Sequence, residues 1–171
     1  MTKVQFRNED CFKTMQKFID NGKTVDVILT SPPYNTARNV KTQKAIDTHN
    51  NRYDGYNDNM TEQEFIDSIK ELGIEPTDKQ LYQLSKFYEL LIEWNQKINL
   101  TRITDKKEVY LKHFYDSLTI SKELDLNKIN TLCDVGTGAG FPGIVLKIFY
   151  PDLKITLIDS LLKTVKYLNE I

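Results

Sequence analysis

A glycine-rich segment in the last third of the chain has the residue types that hold a nucleotide-like ligand. Residues 134–143 read DVGTGAGFPG and lie between a stretch that predicts a buried strand and a stretch that predicts a helix. Gly136, Gly138 and Gly140 have no Cβ atom, so the turn can be tight and a ligand can approach its backbone. The N–H groups at the start of the following helix are then free to bind a polar ligand. We therefore predict a cofactor site at this turn.

An acidic residue follows at the spacing expected of a ribose ligand. The stretch 154–158 predicts a strand and runs into Asp159, 19 residues after Gly140. A carboxylate about 20 residues beyond such a turn accepts hydrogen bonds from ribose hydroxyls. The spacing G-x-G-x-G, rather than the G-x-G-x-x-G of dinucleotide sites, favours S-adenosylmethionine, which needs backbone contacts but no pyrophosphate cradle. The alternative is a plain glycine-rich turn followed by a solvated aspartate.

A second motif has the residue types for methyl transfer to an amino group. Ser31-Pro32-Pro33-Tyr34 directly follows the apolar stretch 25–30, which predicts a strand. The two prolines fix the backbone and remove two N–H donors, so the Pro32 carbonyl and Ser31 Oγ can accept hydrogen bonds from an exocyclic amino group. Tyr34 can stack on the same base once that base is flipped out. We predict Ser31, Pro32 and Tyr34 as catalytic residues; the alternative is a turn that only ends the strand.

The composition limits the class of protein and the partners that the chain can have. The chain has 171 residues, 40% of them apolar, which is enough for a packed core. A net charge of −1 provides no general basic field, so any contact with nucleic acid must be local. The positions of Cys11 and Cys133 indicate neither zinc nor a disulfide framework, and no metal site is predicted. Neither a signal peptide nor a membrane-spanning run is present in the sequence, which predicts a reduced, cytoplasmic protein.

Four predicted strands position these motifs. They lie at 3–7, 25–30, 129–135 and 154–159. The chain divides into a strand–helix–strand unit, a polar loop or linker, a helical segment and a βαβ cofactor unit, at 1–34, 35–59, 60–126 and 127–171. The loop either is solvated or contacts phosphates through its basic residues.

Three helices are predicted within the helical segment, beginning near Thr61, Thr77 and Lys106. Gln80 lies three residues after Thr77, which predicts a capping box. The third helix is predicted to run from about Lys106 to Glu123. It contains His113, one of only two histidines, which we interpret as a packed or capping residue rather than a catalyst.

Residues 60–171 resemble the amino-terminal part of the RsmG (GidB) family, which methylates N7 of a guanine in 16S ribosomal RNA. The matching stretches are EWNQKINLT at 93–101, KHFYDSL at 112–118 and DVGTGAGFPG at 134–143. The resemblance implies that Gly136 and Phe141 contact S-adenosylmethionine and that Asp159 binds its ribose. Leu162 and Thr164 stand where the family usually has Asn and Arg.

Residues 1–59 resemble the start of a DNA amino-methyltransferase, the kind of enzyme that modifies adenine N6 or cytosine N4. TSPPYN at 30–35 matches the catalytic motif, and RYDGYND at 52–58 resembles the loop that follows it. NEDC at 8–11 resembles a strand end at which an aspartate, here Asp10, lies near the cofactor, although Glu9 departs from the usual glycine. The predicted cofactor-binding residues are therefore Asp10, Asp134, Gly136, Gly138, Gly140, Phe141 and Asp159.

Together the two resemblances predict a chimera of two methyltransferases with a Rossmann-like α/β fold. In the permuted motif order of amino-methyltransferases, the four strands, taken along the chain, supply positions three, four, one and two of the sheet. They then form a partial parallel sheet in the order 3-2-1-4, with strand 25–30 beside strand 129–135. Such a sheet normally has about six strands, so we expect this chain to be a truncated piece.

Three functions are open on the sequence alone. The first is an S-adenosylmethionine-dependent, RsmG-like methyltransferase of ribosomal RNA, and the second is a DNA amino-methyltransferase that uses Ser31, Pro32 and Tyr34. The third is a half-domain that binds the cofactor without catalysis. Expected partners are ribosomal RNA or DNA and, through an unpaired sheet edge, a second copy of the chain. No membrane partner is expected.

Overall fold

Four parallel strands form the sheet on which the chain is assembled. The computed structural model describes residues 5–8, 10–30 and 61–171. Its strands are β1 (Gln5–Asn8), β2 (Val27–Thr30), β3 (Thr131–Val135) and β4 (Lys154–Asp159). Their order in the sheet is β1-β4-β3-β2. Since these strands were predicted to supply positions three, two, one and four, this is the predicted order 3-2-1-4. The predicted Rossmann-like α/β fold with a partial parallel sheet is therefore confirmed.

The carboxyl ends of the four strands lie at one edge of the sheet. Asn8 is paired with Asp159, Ile158 with Val135, and Val135 with Thr30. Ligands of open parallel sheets bind outside this edge, where neighbouring strands lead to crossovers on opposite faces. The glycine-rich turn begins directly after Val135, so it starts where such a site is expected.

Helices cover one face of the sheet. They are α2 (Glu62–Glu71), α3 (Asp78–Ile98), α4 (residues 106–122), α5 (Gly143–Phe149) and α6 (Leu162–Leu168). Their shared core contains fully buried side chains from the helices and from β3 and β4, among them Phe65, Leu84, Leu91, Phe114, Leu132, Val145, Ile155 and Tyr167. The capping box at the start of α3 is confirmed, since Gln80 Oε1 accepts the Thr77 N–H at 2.8 Å.

The helix predicted from about Lys106 to Glu123 is present, and its pitch varies along its length. Element α4 is helical over Lys106–Val109 and π-helical over Tyr110–Tyr115, and it ends in a short α-turn and a 3₁₀ turn. The π-helical part buries two adjacent pairs of residues, Tyr110-Leu111 and Phe114-Tyr115. A regular helix of this length buries a narrower stripe, so the wider turn fits this aromatic-rich sequence to the core.

The opposite face of the sheet is covered by α1 (Cys11–Asp20). Phe18 packs there with Cys133 and Ile158, so Cys133 lies among apolar side chains. The apolar side chains of α1 are only partly buried, because Phe12 is 88% exposed and Ile19 is 68% exposed. Helix α1 therefore contacts the sheet through a narrow stripe.

A network of hydrogen bonds joins the amino-terminal unit to the start of β3. The carboxylate oxygen Asp26 Oδ2 accepts the N–H groups of Asn130 and Thr131, each at 2.8 Å, and the Thr131 hydroxyl at 3.0 Å. The Asp26 N–H in turn donates to Thr131 Oγ1 at 2.8 Å. These bonds connect residues more than 100 positions apart and set the register of β2 against β3.

Two kinds of feature are absent from the part of the chain that the structure describes. None of its helices is both long enough and apolar enough to cross a membrane. No group of three or more His, Cys, Asp or Glu residues within that part is arranged to hold a metal ion.

Candidate cofactor-binding site

The glycine-rich turn is tied to the end of β4 by its own backbone. The N–H groups of Gly136 and Thr137 both donate to the Ile158 carbonyl, at 2.8 and 3.2 Å. Gly136 and Gly138 have φ values of +80° and +54°, in the region that L side chains rarely adopt. A Cβ atom at either residue would meet nothing within 4 Å, so the turn leaves open space beside its backbone. This is the space that a bound cofactor requires.

Asp159 lies directly across from the turn. Its side chain is buried, with Oδ2 accepting the Gly138 N–H at 3.0 Å and Oδ1 accepting the Leu161 N–H at 2.8 Å. Each carboxylate oxygen can accept a further hydrogen bond. The carboxylate is therefore held in one orientation and retains the capacity to accept bonds from ribose hydroxyls.

Asp134 is the least satisfied polar residue at the site. It is fully buried, and its Oδ2 accepts the Thr137 hydroxyl at 2.8 Å and the Gly143 N–H at 3.1 Å. Its Oδ1 has no hydrogen-bond partner among the described residues. Burial raises the pKa of this carboxyl to about 6, a shift that the two hydrogen bonds oppose and the charge of Asp159 reinforces. A cationic ligand group would satisfy the unpartnered oxygen.

The prediction of free N–H groups at the start of α5 is wrong for its first two residues. Gly143 donates to Asp134, and Ile144 donates to the Gly140 carbonyl at 2.8 Å. Asp134, the first residue of the motif, therefore accepts the Gly143 N–H that was expected to be free for a ligand. Within the turn, the N–H of the buried Ala139 finds no acceptor among the described residues, so it is the backbone donor that remains for a ligand.

The ring of Phe141 is fixed by an aromatic cluster. It stacks on His113, with ring centroids 4.5 Å apart and planes 16° apart. Phe87 and Phe114 approach it at 5.3 and 6.0 Å. The Tyr167 hydroxyl donates to the Ala139 carbonyl at 3.3 Å from within the core. Side chains from α3, α4 and α6 thus hold the turn in place.

These supporting contacts were missed by the sequence analysis. His113 is packed, as we interpreted it, but its stacking on the cofactor turn was not predicted. Two further contacts were also missed: Thr101 Oγ1 lies 3.0 Å from His113 Nε2, and Tyr167 binds the Ala139 carbonyl. The available signal was that the stretches 93–101 and 112–118 both match the RsmG family, and residues of both support this turn.

Of the remaining predicted site residues, the structure describes Asp10 but not Ser31, Pro32 or Tyr34. Asp10 lies beyond the carboxyl end of β1, where its side chain accepts the Lys13 N–H at 3.1 Å and caps α1. Its approach to a cofactor stays a prediction. Ser31, Pro32 and Tyr34 lie outside the described residues. Thr30, the last described residue before them, is paired with Val135, the residue before Gly136.

The residues of this site are compatible with S-adenosylmethionine. The unpartnered Asp134 Oδ1 matches its amino group, the Ala139 N–H matches its carboxylate, and the Asp159 carboxylate matches its ribose. The open space at Gly136 and Gly138 admits the ligand without displacing a side chain. A parallel sheet in this order, with this turn and this acid, defines a Rossmann-like fold of the methyltransferase type.

Comparison with known proteins gives the family. The sequence model of the GidB family, described as rRNA small subunit methyltransferase G, matches residues 80–171, and the chain belongs to that family. Among curated relatives named ribosomal RNA small subunit methyltransferase G, that of Macrococcus caseolyticus is 55% identical over 112 residues, which is 66% of this chain and 47% of the relative. That of Bacillus subtilis is 51% identical over 112 residues, with the same two coverages.

These comparisons separate the two resemblances found in the sequence. The match to the RsmG family is confirmed over about two thirds of the chain. The comparisons lend no support to the DNA amino-methyltransferase resemblance of residues 1–59, nor to a chimera. The chain spans about half the length of the curated relatives it matches.

Proposed function

We propose that this chain binds S-adenosylmethionine at the glycine-rich turn and methylates guanine N7 in small-subunit ribosomal RNA. The observation that supports it best is the buried pair Asp134 and Asp159 on either side of an open turn, within the segment that matches the GidB family. An RNA substrate inside the cell also fits a cytoplasmic location.

Each residue of the site has a defined part in this proposal. Asp159 orients the cofactor through its ribose, Asp134 pairs with its amino group, and Phe141 lines the turn beside it. When bound, S-adenosylmethionine supplies a methyl group on a sulfonium. Guanine N7 has a lone pair and carries no proton, so the protein need not remove one. Catalysis then depends on holding the base in line with the methyl group, which is a matter of positioning.

Methyl transfer to an exocyclic amino group of DNA is the second candidate function. One observation favours it, namely that β2, which leads to Ser31, lies beside β3, which leads to the cofactor turn. Ser31 Oγ and the Pro32 carbonyl would accept hydrogen bonds from the amino group, and Tyr34 would stack on the base. Loss of activity on DNA in a Tyr34→Ala variant that still binds the cofactor would favour this candidate over the first.

The first experiment is calorimetric titration of the chain with S-adenosylmethionine. We expect saturable binding that is lost in Asp159→Ala, because the ribose contacts disappear, and retained in the control Asp152→Ala, which removes an exposed carboxylate from the turn before β4. Saturable binding should be followed by methyl-transfer assays on small ribosomal subunits from cells that lack this modification. Methylation of ribosomal RNA supports the first candidate, and methylation of DNA alone contradicts it.

A second pair of variants distinguishes two causes of weaker cofactor binding, namely loss of the space for the ligand and strain in the backbone. Gly138 and Gly22 both have positive φ, +54° and +61°, and a Cβ atom at either would meet nothing within 4 Å. An alanine should therefore lower the free energy of unfolding by a similar amount at each, about 1 kcal/mol. Only Gly138→Ala should abolish cofactor binding, because only there does the methyl group enter the ligand space. Equal binding by both variants would contradict a site at this turn.

Absence of binding by a well-folded wild-type chain would remove both enzymatic proposals. Binding without transfer to either substrate would leave the cofactor-binding half-domain as the function. Sedimentation of the same samples would show whether β2, which pairs only with β3 among the described residues, associates with a second copy through its outer edge.

A further inference from the structure

We propose that His113 is a positioning residue for methyl transfer: held by Thr101, its ring fixes Phe141 and thereby the cofactor turn. This inference rests on the proposed function, because it assigns a residue to the same site. It concerns a side chain that is 28 positions from Phe141 in sequence and lies in a different structural element.

The position of His113 in α4 is the first part of the argument. It lies in the π-helical stretch Tyr110–Tyr115, between two pairs of buried residues. Short π-helical stretches interrupt the regular spacing of side chains and occur often at functional sites. Here the imidazole ring is brought parallel to the ring of Phe141, with centroids 4.5 Å apart. Since Phe141 follows Gly140 directly, the stack restrains the peptide group at the end of the turn.

The second part is the anchor of the imidazole ring. His113 Nε2 lies 3.0 Å from Thr101 Oγ1. Thr101 is itself fixed, because its N–H donates to Asn95 Oδ1 at 2.8 Å and its Oγ1 accepts the Ile103 N–H at 3.1 Å. The ring is therefore held by a side chain whose own position is set by the segment that follows α3.

The third part is a support on the other side of the same turn. The Tyr167 hydroxyl binds the Ala139 carbonyl, and the Tyr167 ring lies 6.0 Å from that of Trp94. Trp94 and Asn95 are neighbours near the end of α3. The end of α3 thus supports the turn twice, through Asn95, Thr101 and His113 to Phe141, and through Trp94 and Tyr167 to Ala139.

The surroundings of His113 favour positioning over proton transfer. Burial lowers the pKa of His113 to about 4, and a hydrogen bond with the backbone of Lys112 and the charge of Glu108 only partly oppose this. The ring is therefore neutral near pH 7, with one face against Phe141 and Nε2 bonded to Thr101. A neutral, packed ring of this kind orients its neighbour.

Three variants test this inference against a purely structural role. His113→Gln removes the ring, His113→Phe keeps a stacking ring without the bond to Thr101, and Val109→Ala is the control. Val109 is fully buried in the same element but precedes the π-helical stretch, so its truncation lowers stability while the imidazole ring and its bond to Thr101 stay in place. Each variant is measured for its free energy of unfolding and for its Kd for S-adenosylmethionine. Trp94 is the only tryptophan in the chain, and its fluorescence gives a second record of binding.

We expect His113→Gln to raise Kd about tenfold, as loss of an aromatic stack allows. His113→Phe should raise it less, and Val109→Ala should leave it unchanged at an equal or greater loss of stability. In the absence of cofactor, amide hydrogen exchange at residues 138–141 should quicken in His113→Gln and not in Val109→Ala.

Two outcomes would overturn the inference. One is a change of Kd in His113→Gln no larger than in Val109→Ala at equal stability, and the other is unchanged hydrogen exchange at the turn. A wild-type chain that does not bind S-adenosylmethionine would overturn the proposed function, while the exchange comparison would still decide whether His113 positions the turn.

Discussion

Asp134 destabilises the folded chain in a way that a bound cation would relieve. Its carboxylate is fully buried, one oxygen has no partner among the described residues, and its pKa is raised to about 6. A carboxyl whose pKa is higher in the folded than in the unfolded state stabilises the fold while protonated and loses that contribution as pH rises through the folded value. The protein thus keeps a costly charge at the point where the cofactor amino group is expected.

Replacing this charge should make the apo protein more stable at neutral pH and a weaker binder. Relative to the wild type, Asp134→Asn should gain free energy of unfolding as pH rises from about 4 to about 7, by at most about 3 kcal/mol. The same variant should bind S-adenosylmethionine more weakly, because the amino group loses its ionic partner. Urea unfolding at several pH values and calorimetric titration check the two effects.

The pH dependence of the wild-type free energy of unfolding would not by itself reveal the contribution of Asp134. The pKa of His113 is lowered to about 4, so its contribution is fully present above its ordinary value of 6.5 and is lost as pH falls through about 4. The two contributions have opposite signs over nearly the same range of pH, so the difference between variant and wild type is the informative quantity. A difference that is independent of pH would show that Asp134 is not protonated in this range.

At the level of residues, the sequence predicted that the glycine-rich turn and Asp159 lie together, as the bond from the Gly138 N–H to Asp159 shows. The turn and Asp159 lie at fixed spacings within one βαβ unit, so their proximity follows from local structure. The contact of Thr101, His113 and Phe141 does not, because it depends on a π-helical stretch and on the packing of three separate segments. No spacing rule for regular helices brings His113 to face the turn.

The pairing of the edge strand β2 with β3 depends on the side chain of Asp26, which directly precedes β2. Asp26 accepts three hydrogen bonds at the start of β3, two of them from backbone N–H groups, which lower the pKa of its carboxyl. The exposed Asp125 also has a lowered pKa, caused first by its bond with Lys128, but its partners lie within three residues. The two aspartates differ in whether they connect distant segments.

Asp26→Ala should therefore loosen β2, whereas Asp125→Ala should not. We expect the first variant to lower Tm and to quicken amide hydrogen exchange in residues 27–30, and we expect little change from the second. The difference should shrink as pH falls through the pKa of Asp26, because a protonated carboxyl is a weaker acceptor. Equal behaviour of the two variants would mean that strand pairing alone sets the register.

At the level of elements, strands and caps were predictable and helix pitch was not. The strand predicted at 154–159 has those bounds, and Thr77 caps α3 through Gln80, because both depend on local sequence. The change of pitch in α4 follows from aromatic side chains that must reach the core, which local propensity does not encode. The exposure of Phe12 and Ile19 likewise depends on how little of α1 the sheet contacts.

The sheet interleaves the two parts of the chain. The segment that matches the GidB family supplies the two inner strands, β3 and β4, and residues 5–30 supply the two outer strands. The order was predictable from the permuted arrangement of motifs, since parallel crossovers permit few alternatives. Neither part can leave without exposing backbone donors and acceptors of the other, on both sides of the inner pair.

The chain should therefore unfold in one transition despite its two-part sequence. Urea unfolding followed by Trp94 fluorescence, which reports the contact of α3 with α6, should coincide with unfolding followed by far-ultraviolet circular dichroism, which reports helices and strands together. Asp26→Ala should move both curves to lower urea by the same amount, because loosening β2 destabilises the common sheet. If β2 instead separates first, circular dichroism will change before the fluorescence does, and the amino-terminal unit is an appendage rather than part of the cooperative fold.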